Sequence, residues 1–174
     1  PARDAIEALF DGDLIGAGVS QEDINNAQAL LDAVVYEGEG WHAGVLEGLV
    51  SDMKADLQGK IAEAQGLFSN LDYLRVAAQG VAAGFKEDAT VAEARAAFEE
   101  HAGDLGIDLT NYDALSDEEK TEGIGILKDQ LAPYASEFES YINETNDPAE
   151  IAAFADFIGD AIDVFALYVP ARDA

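Results

Sequence analysis

Asp147-Pro-Ala-Glu-Ile151-Ala-Ala-Phe154-Ala-Asp-Phe-Ile158-Gly-Asp-Ala-Ile162-Asp-Val-Phe165-Ala-Leu-Tyr-Val169-Pro170 is the stretch that decides the fold. Ile151, Phe154, Ile158, Ile162, Phe165 and Val169 recur at steps of three and four, so they fall on one stripe of an α-helix. Asp147 is placed to cap that helix. Pro148 takes its first position, where a missing N–H costs nothing, and Pro170 is expected to stop it.

The same period runs through most of the chain, and alternating strand patterns are almost absent. Upstream, Ile124, Leu127, Leu131, Tyr134, Phe138 and Tyr141 form a second stripe, opened by a capping box at Ser116-Asp-Glu-Glu119. Pro133 inside it is expected to kink or break the helix near Asp129. Val45, Leu49, Met53, Leu57, Ile61 and Phe68 predict a long helix after the Gly38/Gly40 break, and Leu71, Leu74, Ala78, Val81 and Phe85 predict another. A helix carrying Val91, Ala94 and Phe98 begins at the Thr90-Val-Ala-Glu93 capping box. Near the N-terminus, Ile6 to Phe10 read as a short helix, and Ser20-Gln-Glu-Asp23 caps one running through Ile24, Leu31 and Val34. Residues 103–115 read as a loop. Narrow stripes cannot be buried by single helices, so the expected fold is all-α: a single-domain antiparallel bundle of about six to seven helices over residues 1–169, with residues 170–174 as a tail.

Charge sets the solvent. The 174 residues hold 36 Asp and Glu against 9 Lys and Arg, a net charge of −27. On a sphere of radius ~20 Å the screened Coulomb self-energy is roughly 20 kcal/mol at physiological salt and roughly 10 kcal/mol at ~1 M. The unfolded chain carries part of this, but the difference is comparable with the ~5–15 kcal/mol that holds a domain together. The composition thus resembles that of halophilic proteins and points to a secreted or cell-surface location in high salt; an acidic secreted domain from a marine or calcium-rich setting is the alternative. The few cations stand singly, which excludes nucleic acid as a partner and disfavours anionic membrane surfaces. No apolar run is long enough to insert in a membrane, and the absence of cysteine excludes disulfides and thiolate metal sites.

Three short motifs invite a chemical reading. Asp11-Gly-Asp13-Leu-Ile-Gly16-Ala-Gly18-Val-Ser20-Gln-Glu22 partly resembles an EF-hand calcium loop: Asp11, Asp13, Gly16 and Glu22 fall at its positions one, three, six and twelve. Ile15 stands where the loop needs an oxygen ligand, and Gly18 where it needs an apolar anchor. The competing reading is a Gly-rich turn followed by the Ser20 cap. Gly40-Trp41-His42-Ala43, with Glu39 before it and Glu47 after it, resembles the Gly-x-His-x-x-Glu motif of imelysin-like, all-helical iron-uptake surface proteins over four residues; Val45 stands where that motif has its Glu. The resemblance implies a divalent or ferric cation held by Glu39, His42 and Glu47. The competing reading is a tryptophan packed at a helix start beside a solvated histidine. His101, between acidic neighbours and a helix C-terminus, reads as a surface residue. Asn143-Glu-Thr145 is a glycosylation sequon for an exported chain.

Pro1-Ala-Arg-Asp-Ala5 recurs as Pro170-Ala-Arg-Asp-Ala174, which is expected of one unit in a tandem array, with neighbouring copies or other surface proteins as partners; the competing reading is an engineered boundary. No nucleophile elbow or phosphate loop is present, and carboxylate pairs are too common to single out an acid and a base. The expected function is therefore a non-enzymatic structural or interaction module, with a cation-binding protein or an extracellular sensor domain as the rivals.

Overall fold

The computed structural model describes residues 1–40 and 42–172, with side chains described as far as Tyr168. Helices α1 (Ala2–Glu7), α2 (Gln21–Asp32), α3 (Ala43–Gly84), α4 (Val91–His101), α5 (Thr110–Asp113), α6 (Asp117–Leu131), α7 (Ala135–Glu144) and α8 (Pro148–Arg172) make the protein an all-α helical bundle, as the periodicity predicts. The chain divides into two compact units, Pro1–Leu71 and Asp72–Ala174.

In the first unit, α1 and α2 pack on each other and bury Ile6, Leu9, Ile24, Ala27 and Leu31. Between them lies the one strand pairing of the described residues, a two-residue hairpin of β1 (Phe10–Asp11) and β2 (Leu14–Ile15). Phe10 therefore ends in a strand rather than in the expected helix. Gly12 occupies the first position of the tight turn with φ +61°, which a side-chain-bearing residue rarely adopts. The Ser20 box forms as predicted, with the Ser20 hydroxyl accepting from the Asp23 N–H and the Asp23 carboxylate accepting from the Ser20 N–H. Val34 lies past the end of α2, which stops at Asp32. Two reciprocal amide pairs hold α2 against α3. Gln21 and Gln65 exchange hydrogen bonds of 2.6 and 2.8 Å, and Gln28 and Gln58 exchange bonds of 2.9 and 2.7 Å. Members seven apart on each helix and running in opposite directions fix an antiparallel register. In a chain so poor in cations, neutral amides join helices without adding charge.

The two helices expected on either side of residue 70 are one. α3 runs unbroken through 42 residues, because nothing between Phe68 and Leu71 ends it: Ser69 and Asn70 are tolerated in a helix interior, and no proline or left-handed glycine intervenes. Residues 72–84 of α3 belong to the second unit, where α4 crosses them closely. A Cβ on Gly84 would lie 3.0 Å from the Ala97 Cβ and 3.1 Å from the Ala94 Cα, and one on Gly80 would lie 2.2 Å from the His101 ring. His101, expected at the surface, is half-buried against that glycine.

The Thr90 and Ser116 boxes form as predicted. α6 ends at Leu131, two residues later than expected. Pro133 then occupies a single 3₁₀ turn, Ala132–Tyr134, before α7 resumes, because the proline ring denies the Asp129 carbonyl its hydrogen bond. The expected loop at 103–115 contains α5, which buries Tyr112 against Phe98 with rings edge to face at 5.2 Å. α6 packs on α4 and α8, enclosing Phe98, Ile124, Leu127, Ile151, Ile158 and Ile162. Lys128 of α6 is 7 % exposed, and its ammonium donates to the Glu87 carbonyl at 3.4 Å. Pro170 does not stop α8, which continues to Arg172; a proline in the last turn removes one bond and leaves the earlier turns intact. Asp173 and Ala174 of the repeated word lie outside the described residues.

Candidate functional site

Asp11 and Asp13 lie on the hairpin, and Glu22 lies beyond it. Asp11 pairs with Leu14 across it, Asp13 occupies its turn, and Glu22 projects from the first turn of α2. Ile15, the residue at the EF-hand's missing ligand position, points into the core as the last strand residue. Near the turn a cleft of about 280 Å³ is lined by Glu7, Phe10, Gly12, Asp13, Lys60 and Glu63. It is small and mostly charged, unlike the apolar pockets that enclose organic ligands.

His42 lies just before α3, where its carbonyl accepts from the Val45 and Leu46 N–H groups at 3.1 and 3.2 Å. Glu39 lies before the helix and Glu47 on its second turn, both exposed, while Trp41 lies outside the described residues. Among the described residues no three His, Cys, Asp or Glu side chains converge as metal ligands, here or at the N-terminal hairpin. Asn143 sits in the last turn of α7, its side-chain oxygen accepting from Gln79. The sequon's Thr145 is buried, with its hydroxyl bonded to Glu150.

The best-organised polar cluster in the second unit was not singled out by the sequence. Arg95 of α4 binds Glu99 at 2.7 Å and Asp117 at 2.6 Å, and also donates to Thr121. The buried Tyr112 hydroxyl donates to Glu99 at 2.9 Å, and the Lys120 ammonium lies 4.9 Å above the Tyr112 ring. Burial opposes the Glu99 charge, but the hydrogen bonds from Arg95 and Tyr112 outweigh it and hold its pKa below the usual carboxylate value. Asp117 is lowered chiefly by its hydrogen bond from Arg95. Burial, then the neighbouring carboxylate, raises the Tyr112 phenol. Every member is satisfied by another, so the cluster ties α4, α5 and α6 together and holds no poised acid, base or nucleophile.

What remains open is apolar. Val45, Leu49 and Met53 form a row on the first turns of α3 at 67, 54 and 64 % exposure. On α8, Phe157, Ala161, Val164 and Tyr168 form a second row, spaced i, i+4, i+7 and i+11, beside the stripe that fills the core. Val164, the adjacent Leu167 and Tyr168 are 63, 73 and 53 % exposed. The signal was present in the sequence, since the apolar positions of α8 span about half its circumference rather than one narrow stripe. No described helix is long and apolar enough to cross a membrane. The chain matches no protein-family model, no curated protein and no solved structure.

Proposed function

We propose that this chain is a non-enzymatic helical interaction module of a secreted or cell-surface protein that works in high salt. The observation that carries the reading is the arrangement of its exposed apolar side chains in rows on α3 and α8. Scattered apolar residues are ordinary on any surface, whereas contiguous rows rimmed by charge mark contact faces. The excess of carboxylates keeps such faces from aggregating, and screening by salt relieves the repulsion they create. Nucleic acid is not a partner in this reading, because the nine cations form no stripe.

The row on α3 tests it. Val45→Ser, Leu49→Ser and Met53→Ser combined should leave the melting temperature within about 2 °C of the parent, whereas Ile61→Ala, in the core, should cost about 2–5 kcal/mol. A triple variant that unfolds would make the row structural and overturn the reading. Thermal stability should also climb between ~0.1 and ~2 M KCl. A flat profile, or an equal gain from sucrose alone, would remove the high-salt part.

A further inference from the structure

The exposed apolar row of α8 differs from that of α3 in its electrostatic setting. From Ala132 to Ala171, through α7 and all of α8 but its last residue, Arg172, the chain carries eight Asp or Glu and no Lys, Arg or His. Only one of those carboxylates, Glu139, has a cationic partner in the described structure, Lys86 at 2.7 Å. Asp156, Asp160 and Asp163 stand one residue before Phe157, Ala161 and Val164, so an acidic row runs along α8 immediately beside the apolar one. The apolar row continues onto α7, where the Phe138 ring lies 6.1 Å from that of Phe157. The face is thus greasy along its centre and negative along its edge, and among the described residues Lys86, on Glu139, is the one cation paired with a carboxylate of α7 or α8.

We infer that this face of α7 and α8 docks a cationic amphipathic helix of a protein partner, with the partner's apolar residues on Phe157, Val164 and Leu167 and its Lys or Arg side chains against Asp156 and Asp160. The inference rests on the interaction-module reading and names its partner by charge complementarity. A second copy of this chain fits poorly, because it would bring another 27 negative charges to the contact. An anionic lipid surface fails for the same reason. The two rows divide the work. Carboxylates steer and orient the partner in dilute salt, and the apolar row holds it where the Debye length shrinks to about 3 Å.

The test is calorimetric titration of the full chain, in ~0.15 M and ~2 M KCl, with synthetic peptides of about 20 residues, enough for a 30 Å helix. One is a leucine–lysine amphipathic helix, one an oligolysine of the same charge, and one a leucine–glutamate helix. The leucine–lysine helix should bind at least about tenfold more tightly than oligolysine in dilute salt, and should remain bound in ~2 M KCl where oligolysine is released. Val164→Ser with Leu167→Ser should weaken it about tenfold at both salts. Asp156→Asn with Asp160→Asn, which removes charge and leaves the apolar row intact, should weaken it a few-fold in dilute salt only. Val45→Ser with Leu49→Ser should change nothing. Equal binding of oligolysine, or indifference to both α8 variants, would overturn the proposal. If the leucine–glutamate helix binds equally through Val164 and Leu167, or sedimentation shows self-association lost in that variant, the cationic partner falls and the interaction module stands. If no helix binds and the chain sediments as a monomer at both salts, both fall.

Discussion

The two ends of α3 carry the same helical period and meet opposite fates. Toward its C-terminus, Ala64, Leu71, Ala77, Ala78, Val81 and Ala82 are buried; in its first turns Val45, Leu49 and Met53 face solvent. Length accounts for the difference. A helix of 42 residues spans about 63 Å, whereas the 12 residues of α2 and the 11 of α4 span about 18 and 17 Å. Contacts from α2 and the turn after it reach α3 at Lys54, Gln58 and Gln65, all past the last residue of the exposed row, Met53. Periodicity assigns a helix its apolar face, and the length and placement of its neighbours decide how much of that face is covered.

Truncating the packed end should produce the largest effect. Phe85→Ala, just past the last turn of α3, or Phe98→Ala against it on α4, should cost about 3–5 kcal/mol by chemical denaturation, whereas Leu49→Ala should cost under about 0.5 kcal/mol. Equal losses would dissolve the contrast. Hydrogen exchange reads the same gradient without mutation: amides between Val45 and Leu57 should open at least about 2 kcal/mol more easily than those between Leu74 and Val81. Uniform protection along α3 would mean that an unrecognised contact covers its first turns.

Glycine substitutions sharpen the comparison because their sign should reverse along one helix. Nothing lies within 4 Å of a Cβ on Gly59, so Gly59→Ala should stabilise by about 0.5–1 kcal/mol through helix propensity. At Gly84 the added methyl meets the Ala94 backbone, so Gly84→Ala should destabilise by about 1–3 kcal/mol. The smallest expected effect concerns the Arg95 cluster. The Glu99 and Asp117 pKa values are depressed by folding, so their stabilisation is complete above the ordinary carboxylate pKa of about 4 and is lost as pH falls through the folded values. Asp117→Asn should therefore melt slightly below the parent at neutral pH and coincide with it at about pH 2. A gap that persists in acid would assign the residue a role other than charge.

Much of the fold was legible for local reasons. Ser20, Thr90 and Ser116 each stand three residues before Asp or Glu, and a side chain that satisfies free N–H groups at a helix start acts within one turn of chain. Pro133 broke its helix within two residues of the expected place, because the clash is with the chain itself. The Phe10–Ile15 hairpin was not legible, since two-residue strands are too short to show alternation and Ile15 reads equally well as a spoiled ligand position. His101 read as a surface residue because its half-burial depends on Gly80, twenty-one positions away and without a side chain to signal the contact. The Arg95 cluster was hidden in the same way, its members drawn from three helices.

By itself, then, the sequence determined the helical class, the capped helix starts and the charge, all of which follow from spacing and composition. Only the tertiary structure decided that residues 43–84 form one helix and that the first turns of α3 and the outer row of α8 lie bare. Those outcomes depend on which elements lie beside one another in space. A period of 3.6 residues carries the direction of a side chain but not the identity of what it meets.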